Sequence, residues 1–198
     1  LNKGTKNLLT KSYTLLHDVC GKEMKGAQIC AHNEILMSSG LGSSAAAIMA
    51  GLFGANEILG KPLNENELLK IATEIEGHPD NVAPALLGGL VISVITGKEI
   101  ITQRYEIPDL TLVIIKPNVD WPTRTARAVL PKSVSRADAI FNIGRAVLVV
   151  EALRIGDLHL LQKVMDDRIH QPYRLSHIPG GNSAYKIAKK FGAAALSG

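Results

Sequence analysis

A stretch rich in glycine and serine has the residue types of an anion-binding loop. It reads Ser39-Gly40-Leu41-Gly42-Ser43-Ser44-Ala45-Ala46-Ala47. Gly40 and Gly42 permit positive φ angles and a close approach of the backbone, and N–H groups at the start of a following helix attract anions. The Gly-Lys-Ser/Thr ending of a Walker A loop and the Gly-x-Gly-x-x-Gly spacing of a dinucleotide fingerprint are both absent from it. We interpret it as a phosphate-binding loop of another kind; the alternative is an ordinary glycine-rich turn before a buried helix.

A second stretch is dense in groups that titrate, ligate metals and donate or accept hydrogen bonds. It reads Glu74-Ile75-Glu76-Gly77-His78-Pro79-Asp80-Asn81-Val82-Ala83-Pro84-Ala85. An apolar helix pattern precedes it and an apolar strand pattern follows it. Polar residues concentrated in such a connection indicate a functional site.

Hydrophobic periodicity predicts the elements that position these two stretches. We expect helices over residues 5–19, 45–59 and 65–76, and a strand over residues 26–35 that leads to the glycine-rich loop. Ser43 or Ser44 is expected to cap the second helix. Asn64 and Glu67 have the spacing of a capping box at the start of the third.

Residues 105–110 are the nearest thing to a boundary in the sequence, and we expect domains at 1–106 and 107–198; the pattern changes in character after residue 117. We expect strands over residues 90–95, 99–105 and 110–115, helices over 136–155, 158–164 and 183–191, and a strand beginning near residue 193. Ser133 is expected to cap the long helix and Thr123 to open a short one. Gln171-Pro172-Tyr173-Arg174 is expected in a loop.

The composition narrows the classes of partner. A net charge of +4 and 4% aromatic residues do not indicate a nucleic-acid surface, whereas a mild positive balance suits a small anionic ligand such as a nucleotide. Cys20 and Cys30 lack metal-ligand spacing and suggest reduced thiols in the cytoplasm; a disulfide between them is the alternative. The longest apolar run, residues 82–95, is broken by proline and glycine and is shorter than the ~20 residues of a membrane span. Leu1 in place of methionine suggests a piece of a longer chain.

Together these motifs resemble those of the GHMP kinases, which phosphorylate galactose, homoserine, mevalonate and phosphomevalonate. Residues 40–46 are similar to the family's second motif. Residues 76–89 contain Asp-Asn-Val-Ala-Pro-Ala followed by Gly-Gly, which resembles the members that act on homoserine. Thr123-Arg124-Thr125-Ala126-Arg127 and Gln171-Pro172-Tyr173-Arg174 fit the same members.

The resemblance implies an α+β fold with a ribosomal protein S5 domain 2-like N-terminal half and a ferredoxin-like C-terminal half, both truncated. The family's N-terminal Pro-Ala-x-x-x-Asn-Leu-Gly-like motif and its C-terminal Ala-Gly-Pro-Ser motif are both absent from the sequence. Leu36 also stands where the family usually has proline. We expect this last difference to affect only the entry of the chain into the loop.

The resemblance further implies ATP and Mg²⁺ as cofactors. Residues 39–45 would hold the triphosphate, with Ser43 on a phosphate group and Ser44 on the metal ion. Glu74 stands in Glu-x-x-x-His register with His78 and is the preferred metal-binding carboxylate, with Glu76 as the competing choice. Helix capping by the serines and a solvated helix face for the glutamates are the alternatives.

The resemblance assigns the acceptor site to a third group of residues. Asp80, Asn81 and Thr123 are expected at the reacting hydroxyl, while Asn81, Arg127 and Arg174 bind the substrate. Arginine binds a carboxylate bidentately, which suits an amino-acid substrate. A capping role for Asp80 at the segment 81–87 is the alternative.

The implied activity is ATP-dependent phosphorylation of the L-homoserine hydroxyl in threonine biosynthesis. The resemblance also suggests a homodimer. The cysteines favour the cytoplasm, and the composition and apolar pattern predict neither nucleic acid nor membrane as a partner. Two alternatives are a GHMP kinase for another small alcohol and a non-catalytic fragment or nucleotide-binding relative.

Overall fold

The computed structural model describes residues 7–24, 26–37, 39–117 and 128–196. The chain forms two compact units. The first comprises Leu1–Met37 and Gly42–Tyr105, and the second comprises Ser38–Leu41 and Glu106–Gly198. Within the described residues the first unit combines helices with a small sheet and the second is helical, so that the fold is α+β.

The first unit contains four helices and a hairpin. They are α1 (Leu8–Val19), α2 (Ser43–Ile58), α3 (Glu65–Glu76), α4 (Val82–Leu87), β1 (Leu90–Thr96) and β2 (Glu99–Tyr105). The expected capping box is confirmed, because the Glu67 N–H donates to Asn64 Oδ1 at 3.1 Å and the Asn64 N–H donates to Glu67 Oε2 at 2.8 Å. Two of the four N–H groups at the start of α3 are thereby satisfied.

Helix α2 lies at the centre of this unit and packs against α1, α3 and α4. Apolar side chains from all four helices form one core, which includes Leu16, Ile48, Leu52, Leu68, Leu69 and Val82. At Gly51 the backbone of α2 lies close against α1. A Cβ atom there would overlap the Leu9 carbonyl oxygen and lie 2.9 Å from Ser12 Cβ. The small residues of α2 therefore allow α1 to pack closely against α2, which is the helix that begins at the glycine-rich loop.

The sheet is an antiparallel hairpin of β1 and β2, in which Leu90 lies opposite Tyr105 and Thr96 opposite Glu99. Val91 and Ile100 pack against the helical core. The hairpin thus covers one side of the core directly after α4. It confirms the expected strands at 90–95 and 99–105.

The described part of the second unit contains four helices, namely α5 (Arg136–Ile155), α6 (Leu158–Val164), α7 (Gln171–Leu175) and α8 (Gly181–Ala188). Helix α5 packs against α6. The buried apolar residues are Ala152, Leu161, Val164 and Leu175. None of the described helices, including the 20 residues of α5, is both long and apolar enough to cross a membrane.

Three expected strands, at residues 26–35, 110–115 and from 193, are wrong for the described residues, which have no regular structure there. A strand needs a neighbour to complete its hydrogen bonds, and no described segment pairs with these residues. The apolar side chains of the second segment are consequently exposed: Leu112 is 76% and Val113 is 82% accessible.

Several expected helix ends also differ from the structure. Ser135, rather than Ser133, caps α5 by accepting a hydrogen bond from the Asp138 N–H at 3.0 Å. Gly42, rather than Ser43 or Ser44, occupies the N-cap position of α2. Residues 171–175, expected in a loop, form the short helix α7, in which a proline occupies the first turn, where its missing N–H is tolerated. The helix expected at Thr123 lies outside the described residues.

Candidate functional site

The glycine-rich loop presents backbone N–H groups at the start of α2. Gly40 and Gly42 have φ angles of 71° and 76°, in the left-handed region that glycine adopts without strain. The first helical hydrogen bond of α2 runs from the Ala46 N–H to the Gly42 carbonyl at 2.9 Å. The N–H groups that precede this bond belong to Ser43, Ser44 and Ala45. An anion at this end would meet both these donors and the positive end of the helix dipole.

A carboxylate from α3 meets this loop. The Ser44 hydroxyl, in the first turn of α2, donates a 2.7 Å hydrogen bond to Glu76 Oε2. Glu76 is the last residue of α3, which ends at Gly77 with a φ of 92°. The site is partly buried. The core packing of α2 against α3 therefore holds a hydroxyl and a carboxylate together beside the anion-binding N–H groups.

The helical register of α3 explains why Glu76, rather than Glu74, reaches the loop. Ala72 and Thr73 are buried against the core, and Glu76 follows them by four and three residues, which places it on the same helix face. Glu74 follows the exposed Lys70 by four residues and is itself exposed. The structure thus places Glu76, and not Glu74, against Ser44. Which of the two glutamates binds the metal stays a prediction.

The Ser44–Glu76 pair has the chemistry that Mg²⁺ requires. Mg²⁺ binds oxygen atoms at about 2.1 Å in an octahedron, which separates neighbouring ligands by about 3 Å, and it usually takes only one or two carboxylates beside phosphate oxygens and water. Two protein oxygens 2.7 Å apart are consistent with that coordination. No group of three or more histidine, cysteine, aspartate or glutamate side chains among the described residues could form an all-protein metal cage.

Asp80 and Asn81 lie in the turn between α3 and α4, and both are exposed. Asp80 Oδ2 is 3.9 Å from His78 Nδ1. Asn81 is the N-cap residue of α4, and no side chain makes a capping hydrogen bond there. The alternative that Asp80 caps α4 is therefore wrong, and its carboxylate remains accessible to a ligand.

The candidate arginines are only partly described. Arg174 lies in α7 and is 9% exposed. Thr123 and Arg127 lie outside the described residues.

Asp167, which the sequence analysis did not single out, organises the segment before α7. Its carboxylate accepts hydrogen bonds from Asn142 Nδ2 and from the backbone N–H groups of Ile169, His170 and Gln171. Burial raises the pKa of Asp167, but these hydrogen bonds outweigh burial and hold the pKa below its usual range. An aspartate four residues before a short helix is the local signal that was available. Asp167 thus helps to fix the start of the helix that carries Arg174.

The chain matches a family model described as the GHMP kinases N terminal domain over residues 7–89. That range contains the loop, Ser44 and Glu76. With this match and the relatives described below, the chain belongs to the GHMP kinase family, as its motifs indicated.

Within that family, the chain is similar to homoserine kinases. It is 42% identical to the homoserine kinase of Moorella thermoacetica over 196 residues, which cover 98% of this chain and 66% of that protein. It is 41% identical to the homoserine kinase of Clostridium beijerinckii, with 97% of this chain and 66% of that protein covered. The chain thus spans about two thirds of the length of these curated relatives.

Solved structures show the same likeness. A homoserine kinase from Cytophaga hutchinsonii superposes with a TM-score of 0.75 at 28% identity, covering 96% of this chain and 62% of that one. A putative homoserine kinase from Listeria monocytogenes gives a TM-score of 0.71 at 26% identity, covering 100% of this chain and 66% of that one. The expected α+β fold of the GHMP kinases is confirmed.

Proposed function

We propose that this chain provides the nucleotide loop and acceptor-binding residues of an ATP-dependent kinase that phosphorylates the hydroxyl of L-homoserine in threonine biosynthesis. The observation that carries the proposal is the hydrogen bond between Ser44, at the anion-binding end of α2, and Glu76 of α3. The acceptor is supported by similarity to proteins named homoserine kinase.

Phosphoryl transfer requires alignment and neutralisation of charge more than covalent chemistry by the protein. In this proposal the N–H groups at residues 43–45 bind phosphate oxygens of ATP, and Gly40 and Gly42 let the backbone wrap around them. The Ser43 hydroxyl adds a further donor. These groups fix the direction in which the terminal phosphate faces the acceptor.

We assign Mg²⁺ to the oxygens of Ser44 and Glu76. When bound, the ion neutralises charge on the phosphate oxygens. The hydrogen bond between the two side chains orients both oxygens before any ligand arrives, and such preorganisation lowers the cost of assembling a site. Glu74, which is exposed, serves in this proposal only as part of a solvated helix face.

The acceptor is assigned to residues outside the loop. Asp80 and Asn81 orient the reacting hydroxyl together with Thr123. Arg127 and Arg174 bind the substrate carboxylate, for which a guanidinium offers two parallel N–H donors. A carboxylate-binding arginine is the feature that favours an amino-acid substrate over a sugar or an isoprenoid alcohol.

The metal assignment is tested by two substitutions in the same helix. Glu76→Gln should lower kcat/KM by about 100-fold, the effect expected when a preorganised electrostatic contact is lost. Glu74→Gln, two residues away, is the matched control and should change kcat/KM by less than about 3-fold. A coupled assay of ADP release over a range of Mg²⁺ concentrations gives kcat/KM for both variants. Equal losses in the two variants, or a larger loss in Glu74→Gln, would refute the assignment.

The substrate assignment is tested with a panel of alcohols and an arginine pair. ADP release should depend on L-homoserine and not on mevalonate or galactose. Arg127→Ala should raise the KM for L-homoserine and leave the KM for ATP unchanged, whereas Arg136→Ala, at the exposed start of α5, should alter neither. An unchanged KM for L-homoserine in Arg127→Ala argues against carboxylate binding by Arg127. ADP release with another alcohol in place of homoserine identifies a different GHMP kinase.

A second candidate function is nucleotide binding without transfer by these 198 residues. The observation that favours it is that the chain covers only about two thirds of its relatives. Comparing turnover by this chain with turnover by a version extended at both ends distinguishes the two candidates, and equal turnover would exclude the binding-only one.

The cytoplasm is the proposed compartment, since ATP is available there and Cys20 and Cys30 are free thiols. The proposed homodimer is tested by sedimentation of the extended version, where a single species of monomer mass would count against it.

A further inference from the structure

The second unit contains a cleft of about 540 Å³ whose lining includes none of the residues assigned to kinase chemistry above. Side chains from α5, from residues 166–168, from α7 and from α8 surround it. Those that matter for binding are Phe141, Arg145, Asp166, Gln171, Tyr185 and Lys186. The volume is in the range of sites for small molecules.

The acidic groups of the cleft are occupied by partners within the protein. Asp166 accepts hydrogen bonds from Lys189 Nζ at 2.5 Å and from the Tyr185 hydroxyl at 3.1 Å. The Lys189 bond is the main reason that the pKa of Asp166 lies below its usual range. Asp167, the second acidic group, accepts the four hydrogen bonds described above. Neither carboxylate therefore needs a cation from outside.

Two cations of the cleft have no such partner. Arg145 and Lys186 form no ion pair within 4 Å with a described residue. Arg145 Nη1 does donate to the Phe141 carbonyl at 3.4 Å, and its charge contributes to the lowered pKa of Asp166. The Arg145 guanidinium carbon lies 3.4 Å from the centroid of the Phe141 ring, which holds the group in place by a cation–π contact. Arg168 packs on the same ring at 3.8 Å, but it pairs with Asp138 at 3.6 Å. The cleft thus has an excess of positive charge centred on Arg145 and Lys186.

The cleft also has polar atoms that find no partner among the described residues. Gln171 is 6% exposed, and its carbonyl Oε1 accepts no hydrogen bond from the described residues. Its amide nitrogen, by contrast, donates to the Met165 carbonyl at 3.1 Å. The buried Nε of Arg145 likewise donates to no described residue. Buried polar atoms are nearly always satisfied in native proteins. These two atoms belong to side chains that line the cleft, so a ligand that carries both an acceptor and a donor would satisfy them.

We propose that this cleft binds a small anion that also carries a hydrogen-bond donor. A carboxylate or phosphate group accepts from Arg145 and Lys186, and a hydroxyl or ammonium group of the same molecule donates to Gln171 Oε1. The site goes beyond the proposed kinase activity, since it requires neither ATP nor the glycine-rich loop.

Calorimetric titration of the 198-residue chain at constant ionic strength tests the proposal with three probes: L-malate, succinate and inorganic phosphate. Malate and succinate differ only in the hydroxyl group. We expect saturable binding of L-malate or phosphate with a dissociation constant in the millimolar range or below. The tighter of these two probes identifies the anionic group as carboxylate or phosphate.

Substitutions then locate the binding. Arg145→Gln and Lys186→Gln should each lower the affinity for the tighter-binding probe by at least about tenfold, the loss expected for a charge-assisted hydrogen bond. Lys163→Gln removes an exposed cation of α6 that does not line the cleft and should bind as the parent does. Gln171→Leu should reduce the affinity for malate to that for succinate while leaving succinate unchanged.

Three results would overturn the proposal: no saturable binding of any probe, parent-like binding by the Lys186→Gln variant, or equal losses in Lys186→Gln and Lys163→Gln. Circular dichroism of each variant verifies folding. If Arg145→Gln does not fold, the comparison of Lys186→Gln with Lys163→Gln decides the outcome, because both lysines are exposed.

Discussion

Replacing Gly51 by alanine tests whether the close contact of α1 with α2 positions the loop. In an ordinary exposed helix, glycine to alanine stabilises by about 1 kcal/mol because alanine loses less conformational entropy. At Gly51, however, the new Cβ would overlap the Leu9 carbonyl oxygen and lie 2.9 Å from Ser12 Cβ and 3.0 Å from the Tyr13 nitrogen. Two of these three atoms belong to backbone, which cannot rotate away as a side chain can.

The expected size of the effect follows from these contacts. Overpacking in a core costs about 1–3 kcal/mol, and contacts with helix backbone place Gly51→Ala at the upper end. After the gain in helix propensity, the net loss should be about 2 kcal/mol. For a unit of roughly 100 residues, in which 1 kcal/mol corresponds to about 4–8 °C, the melting temperature should fall by roughly 8–16 °C.

Gly54→Ala, one turn further along α2, is the matched control. Its Cβ would meet only Tyr13 Cδ2, at 4.0 Å, so we expect a gain of about 0.5–1 kcal/mol from helix propensity. Thermal and urea unfolding followed by circular dichroism measure both variants. A Gly51→Ala protein as stable as Gly54→Ala would refute the reasoning. Since α2 carries Ser44 at its first turn, Gly51→Ala should also weaken nucleotide binding more than Gly54→Ala does.

Three further predictions concern stability. The lowered pKa values of Asp166 and Asp167 stabilise the fold above the unfolded-state pKa of about 4, and this contribution is lost as the pH falls through the folded-state values. The urea concentration at the unfolding midpoint should therefore decrease when the pH is lowered below about 4. A constant midpoint from pH 5 to pH 3 would contradict this. Asp167→Ala should lower the free energy of unfolding in urea by about 2–3 kcal/mol, because four hydrogen-bond donors lose their acceptor. Glu151→Ala should unfold like the unsubstituted protein, and similar losses in both variants would disprove the role of Asp167. Thr73→Val should stabilise by about 1 kcal/mol in calorimetry, since the buried Thr73 hydroxyl bonds to no described residue; a loss would reveal a partner.

The longer helices could be predicted from the sequence because their determinants are local, whereas the five residues of α7 were expected in a loop. The pair Asn64 and Glu67 announces the start of α3, and the apolar spacing along residues 136–155 predicts α5 with its observed bounds. The strand expected at residues 110–115 failed for the opposite reason. Its apolar run satisfies the pattern of a buried strand, but a strand also depends on residues distant in sequence that complete its hydrogen bonds.

The candidate site was predictable in composition but not in its pairing. The motif spacing favoured Glu74, because the Glu-x-x-x-His register relates it to His78, and this relation says nothing of which side of α3 faces α2. The burial of Ala72 and Thr73 decides that question in favour of Glu76. The same period was present in the sequence, since Leu68, Leu69 and Ala72 already mark the apolar face. The apolar face together with the motif therefore indicates that Glu76 faces α2, and the metal ligand itself stays a prediction.

The N-cap of α2 explains why the hydroxyls of Ser43 and Ser44 are not used to cap the helix. A serine at the N-cap would satisfy one N–H group of the first turn with its own oxygen. Here Gly42 holds that position with a φ of 76°, a conformation that costs an L-residue about 1–2 kcal/mol, so serine is disfavoured there. The helix consequently begins without a side-chain cap, at a cost of a few tenths of a kcal/mol. The N–H groups of the first turn remain available to an anion, and the Ser44 hydroxyl donates to Glu76 instead of to its own backbone. A glycine at this one position therefore links the backbone geometry of the loop to both parts of the proposed site, the phosphate donors and the oxygen pair.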